Sequence, residues 1–110
     1  MNWSIQYFSL SVQNEIVQLP PALQARFIHL SQRMLVYGAD LGMPHTRALG
    51  DGLYELRLKG VQGIARVFYC VLIGKRIVFL HAFTKKTEKT PHKELETARR
   101  RLKELRNADS

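Results

Sequence analysis

Polar and apolar residues alternate over 2–8 (NWSIQYF), in a run rich in β-formers, which predicts a first strand. Over 11–19, Val12, Ile16 and Leu19 fall on one side of a short helix. Pro20 and Pro21 end it, and proline suits the first turn of a second helix. In that second helix Leu23, Phe27, Leu30 and Met34 recur at helical spacing as far as about Tyr37, and Gly38 marks its stop. The pair reads as a helix hairpin with a packing role. Gly38, Gly42, Pro44, Gly50 and Gly52 make 38–52 a loop. Clean alternation then returns over 53–59. Tyr54, Leu56 and Leu58 point one way and Glu55, Arg57 and Lys59 the other, as in a strand with one buried and one charged face. A turn at 60–63 leads to IARVFYCVLI (64–73), a strand apolar on both faces except at Arg66. Gly74-Lys75 suits a two-residue type II′ hairpin turn, and 76–84 is the next strand. Thr90 and Pro91 read as the cap and first residue of a last helix running to about Arg106. Leu95, Ala98, Leu102 and Leu105 form its apolar stripe.

The order β-α-α-β-β-β-α predicts an α+β fold: an antiparallel sheet with an N-terminal helix hairpin and a C-terminal helix, the helices against one face. The first strand must join the sheet through a long connection, which the helix hairpin supplies. A chain of 110 residues with 45% hydrophobic residues fits one domain, 1–110, able to bury a core without staples. The single cysteine, Cys70, excludes an internal disulfide and a cysteine-based zinc cluster, and its place in the strand makes it a small core residue. There is no apolar run long enough to span a membrane, and MNWSIQYF lacks the pattern of a signal peptide. The expected location is cytoplasmic, with no membrane partner.

Charge changes this picture from a bland small domain to one with a polyanion-facing half. The net charge is +8. Residues 1–56 hold three arginines against four acids, whereas 57–110 hold fourteen Lys and Arg against five acids. Such segregation attracts polyanions, nucleic acid foremost.

Candidate chemistry lies in the same half. No Ser/His/Asp set, phosphate loop or metal-ligand spacing is evident, so neither a metal nor another cofactor is expected. Arg66 interrupts an apolar strand and must reach a surface, an acid or a ligand; Glu55 on the neighbouring strand is one partner open to it. If Arg57, Lys59 and Arg66 share a face, they form a cation cluster suited to a phosphate whose charge grows in a transition state. Lys85, Lys86 and Lys89 follow a strand end and read as a solvated turn or as the rest of a phosphate groove. His92 starts the last helix and reads as an acid–base group or an exposed helix start; His81 reads as a core histidine. Arg99, Arg100 and Arg101 suit general RNA attraction or a solvated helix face.

The runs LGDGLYELRLKG, IARVFYCV and IVFLHAFTKKTEKTP, followed by a basic helix, resemble the phage-derived, HigB-like toxins of the RelE/ParE superfamily, over roughly residues 41–105. The resemblance implies a RelE-like small microbial-RNase fold and the toxin of a type II toxin–antitoxin pair, with a helix-turn-helix antitoxin as partner. It implies an mRNA endonuclease that works with the ribosome and needs no metal: the 2′-hydroxyl attacks the adjacent phosphate and the 5′-oxygen leaves. Arg57 and Lys59 then match basic residues on the strand that approaches mRNA, and Arg66 the arginine on the scissile phosphate. Lys86 matches a basic residue at the end of the last strand, and His92 falls near the RelE catalytic tyrosine. Arg57, Arg66, Lys86 and His92 are thus the catalytic candidates, with Lys59, Lys85, Lys89, Arg99 and Arg100 as RNA contacts. Glu55 stands where RelE has a lysine, which leaves the base open. The superfamily also contains ParE-like inhibitors of DNA gyrase, and a relative that only binds antitoxin or nucleic acid is a third alternative.

Overall fold

The computed structural model describes residues 2–86 and 89–109. Thr87 and Glu88, within the last of the quoted runs, lie outside the described residues. The elements are β1 (Ser4–Tyr7), α1 (Leu10–Val17), α2 (Pro21–Tyr37), β2 (Thr46–Gly50), β3 (Leu53–Gly60), β4 (Gly63–Leu72), β5 (Arg76–Lys85) and α3 (His92–Asp109). The class is α+β, as the pattern predicts.

Three details differ from the prediction. First, the 38–52 loop contains a strand. β2 pairs antiparallel with β3 through a two-residue turn, Asp51-Gly52, whose φ values of 54° and 82° are both positive, as a type I′ turn requires. Second, the sheet is mixed, in the order β1-β5-β4-β3-β2. β2 to β5 form the antiparallel meander, but β1 runs parallel to β5, Ser4 beside Arg76 and Tyr7 beside Phe79. The helix hairpin carries the chain from β1 to β2 at the far edge, and three reversals of the meander then bring β5 back parallel to β1. Third, helices cover both faces. Val12 and Ile16 of α1 and Leu23, Phe27, Leu30 and Met34 of α2 pack with Leu56, Leu58, Val67, Tyr69 and Phe79. Ala98 and Leu102 of α3 pack on the other face with Leu53, Phe68, Cys70, Val78 and Leu80. β4 is apolar on both sides because both sides are roofed. Burial pushes the Cys70 thiol up to about 11, so it is an inert core group.

The turns carry further corrections. The β4–β5 loop has three residues, Ile73 to Lys75, and Lys75 joins Gly74 at positive φ, so it is not a type II′ turn. The Lys75 carbonyl accepts the Ser4 N–H at 3.0 Å, which starts the parallel pairing. At the start of α3 the Pro91 carbonyl, not Thr90, takes the first helical N–H groups, those of Glu94 and Leu95. The Thr90 hydroxyl accepts instead from Lys85 Nζ at 3.5 Å.

Gly38 ends α2 at φ 104°, ψ 172°, a conformation open essentially to glycine, with its N–H on the Met34 carbonyl. A Cβ there would also lie 3.3 Å from the Trp3 indole. Gly38→Ala is expected to lower unfolding free energy by about 1–2 kcal/mol in urea titrations.

Candidate functional site

The charged face of β3 lies beside β4 in a register that pairs Arg57 directly with Arg66, Glu55 with Phe68, and Lys59 with Ile64. Opposed residues of an antiparallel pair project to the same side, so Arg57, Lys59 and Arg66 do share a face. α3 roofs the Leu53 end of that face and leaves the Arg57–Lys59 end uncovered. β2 stops pairing at Leu56, and only the His45 carbonyl extends its ladder, accepting the Arg57 N–H at 2.8 Å.

A cleft of about 260 Å³ opens at this corner, lined by Arg26, Pro44, His45, Arg57, Lys59, Ile64 and Arg66. Arg26 reaches it from α2, which packs on the opposite face, so the cleft wraps around the free edge of β3. The helix hairpin therefore does more than pack. The lining brings together four cations and one imidazole.

Glu55 organises two of the cations from below. It is 1% exposed. Its Oε1 accepts from Arg57 Nη1 at 3.0 Å, and its Oε2 lies 3.7 Å from Arg66 Nε. Arg66, 2% exposed, also donates Nη1 to the Ala65 carbonyl at 3.1 Å. One buried carboxylate thus neutralises part of the local charge, holding Arg57 by a hydrogen bond and Arg66 by charge alone, at the desolvation cost such a buried group carries. The ion pair read from sequence and the cation cluster coexist.

The other predicted residues are not in the cleft lining, although Lys85 is the strand partner of Ile64, which is. Lys85 is buried at the end of β5 and tied to Thr90, opposite Ile64. Lys86 and Lys89 are exposed beyond it. His92 is exposed on the first turn of α3, 2.7 Å from Glu96. Arg99 is spent on the fold: its guanidinium donates to the Leu49 and Gly50 carbonyls and so clamps α3 to the β2–β3 turn. Arg100 is exposed. Arg101 donates to the Leu80 carbonyl at 2.8 Å and reaches Glu15.

His81 is the buried histidine that its place in the strand predicts, but strand parity does not put it there. β5 carries a bulge: Phe68 pairs with His81 and Tyr69 with Phe79, so Leu80 is the extra residue. The bulge places the His81 ring between Glu15 of α1, 3.0 Å from Nδ1, and Glu94 of α3, 2.7 Å from Nε2. Glu15 also accepts the Ala82 N–H, which would otherwise lie bare where β1 has ended. This cluster joins both helical layers to the sheet and lies outside the cleft lining.

Sequence reading misses His45 and Arg26. His45 sits at the entry to β2, held by a small network. Asp40 Oδ1 accepts from the Gly42 N–H and the Thr46 hydroxyl, each at 3.0 Å, and the Gly42 carbonyl accepts the His45 N–H. Asp51-Gly52 between two apolar pairs is the signal that would have found β2, and with it the register that sets His45 beside Arg57. Burial, then Arg26, Arg33 and His29, push the His45 imidazole below its usual 6.5, so it is neutral at neutral pH.

Residues 14–103 match the model of a family described as phage derived protein Gp49-like (DUF891), a span that includes every residue of the cleft. No curated protein sequence matches the chain.

Proposed function

The chain belongs to the phage-derived Gp49-like family, and from that premise we propose that it is the toxin of a type II toxin–antitoxin pair, a RelE/HigB-like endoribonuclease that cuts mRNA on the ribosome. The observation that carries the reading is the Arg57–Arg66 pair, opposed across two strands and facing a cleft with Arg26 and Lys59.

Cleavage by the neighbouring 2′-oxygen needs a base for the 2′-hydroxyl, positive charge around the phosphate as it becomes five-coordinate, and a proton for the departing 5′-oxygen. Two guanidinium groups beside one buried carboxylate, one of them hydrogen-bonded to it, supply the second requirement. Arginine donors fork onto phosphate oxygens, and a group already oriented needs no rearrangement as charge grows. The described lining offers no carboxylate to a divalent cation, so the arginines are the natural counter-charge here.

The cleft is open and its acid–base equipment sparse, which fits a reaction whose geometry is set from outside. A ribosome that holds mRNA in an in-line pose provides what the protein lacks. Arg100, Lys86 and Lys89, exposed away from the cleft, suit ribosomal RNA better than the scissile phosphate. An antitoxin that covers the basic cleft or displaces the toxin from the ribosome would silence it. The cytoplasm follows as the place of action.

The test is a reconstituted translation reaction with the mRNA ends mapped by primer extension. Cuts inside codons, present only with ribosomes, are expected. Intact mRNA, or gyrase-dependent DNA breaks in its place, would overturn the reading in favour of a ParE-like inhibitor or a binding protein.

A further inference from the structure

We propose that His45 is the general base of the cleavage step, taking the proton of the 2′-hydroxyl; this deepens the nuclease reading and rests on it. The argument is one of position. The His45 carbonyl takes the Arg57 N–H just beyond the Thr46–Leu56 pair, Arg57 pairs with Arg66, and all three residues line the cleft. The opposed Arg57 and Arg66 are about 4.5–5.5 Å apart at Cβ, close enough to share one phosphate. A phosphate held by the Arg57–Arg66 pair therefore puts its adjoining ribose within reach of the imidazole that lines the same cleft.

The competing groups are engaged elsewhere. Glu55 is buried, with both oxygens directed at Arg57 and Arg66. His81 is enclosed by Glu15 and Glu94, and His92 is exposed beside Glu96. Neither these two nor His29 lines the cleft.

The surroundings suit a base. Arg26, His29 and Arg33 face His45 from α2, Arg57 and Lys59 from β3, and Arg66 from β4. Asp40, on its own segment, is occupied by Gly42 and Thr46. Burial first, and then the α2 groups Arg26, Arg33 and His29, favour the unprotonated ring and lower its pKa. In the step itself the imidazole accepts the 2′-hydroxyl proton as the 2′-oxygen bonds to phosphorus. The bond from phosphorus to the 5′-oxygen breaks, and that oxygen takes a proton from water. The products are a 2′,3′-cyclic phosphate and a 5′-hydroxyl, and His45 returns its proton to solvent.

The experiment compares wild type, His45→Ala, His45→Gln and Arg66→Ala in single-turnover cleavage on programmed ribosomes between pH 5.5 and 8. Each rate is divided by the wild-type rate at the same pH, so that the ribosome's own titration cancels. Loss of at least tenfold at pH 7.5 is expected for both His45 variants. The deficit should shrink as the pH falls and wild-type His45 becomes protonated, and added imidazole should restore His45→Ala but not Arg66→Ala. A His45→Gln rate within threefold of wild type, with an unchanged pH profile, would overturn the assignment while the loss in Arg66→Ala kept the nuclease reading. Folded His45→Ala that is inactive and deaf to imidazole would mark a structural role and overturn it too. If wild type itself leaves mRNA intact, both ideas fall together.

Discussion

Arg66→Ala is expected to lower ribosome-dependent cleavage by about 10²–10³-fold, the loss typical when one fixed donor to a developing anion is removed. Arg66 cannot be replaced by its neighbours. Arg57 approaches the cleft from the opposed strand, and Lys59 and Arg26 reach it from the rim. Arg66→Lys should recover only part of the loss, because an ammonium keeps the charge but not the planar fork. Binding to ribosomes should change far less, since the basic surface of α3 is untouched. The comparison is valid once circular dichroism and a thermal melt show that both variants fold. Cleavage by Arg66→Ala within threefold of wild type would remove the arginine pair from the mechanism.

Glu55→Ala is the largest expected effect on the fold, a loss of about 3–5 kcal/mol in unfolding free energy. The reason is what the substitution leaves behind. Arg66 is buried except where it lines the cleft and Arg57 is three-quarters buried, and the carboxylate lies between them. Without it two guanidinium groups face each other across strands in a poorly hydrated site. Glu55→Gln should cost distinctly less, because an amide oxygen still accepts from Arg57. Urea unfolding monitored at Trp3 measures both, and a shift below about 0.5 kcal/mol for Glu55→Ala would mean that water already compensates these charges. Where a variant folds, it should cleave slowly, since its arginines have lost the group that orients them.

Much of this was legible in the chain because it depends on local periodicity. The alternation of β3 and the helical spacing of α2 and α3 need no knowledge of the rest of the fold. Whether Arg57, Lys59 and Arg66 share a face stayed open in the sequence, because parity across β3 and β4 depends on the length of the turn at 60–63, which the Arg57–Arg66 register settles. Long-range facts were not legible. Parity along β5 places His81 with Phe79 and Phe83, but the extra residue Leu80 breaks parity, and a bulge leaves no strong mark on composition. Helices on two faces could not be told from helices on one, because a strand roofed on both sides and a strand deep in one core are both simply apolar. The arginine run of α3 looks uniform in sequence. In the fold Arg99 and Arg101 are bound to backbone carbonyls, while Arg100 is free to meet solvent. His45 was hidden in a glycine-rich stretch whose hairpin signal, Asp51-Gly52, was absorbed into a loop.

The parallel pairing of β1 with β5 has a consequence for how the chain assembles. β2 to β5 are joined by short turns, so their pairing closes small loops and forms early. Ser4 must find Arg76, with about two thirds of the chain between them, so β1 docks late. Until it does, the β5 edge from Arg76 to Phe79 is a bare row of backbone donors and acceptors, open to another nascent chain. The N-terminal strand of the sheet is therefore among the last to settle. The cleft corner of β3 and β4 thus exists before the molecule is closed, and under the proposed function that is the stage at which an antitoxin's grip counts most.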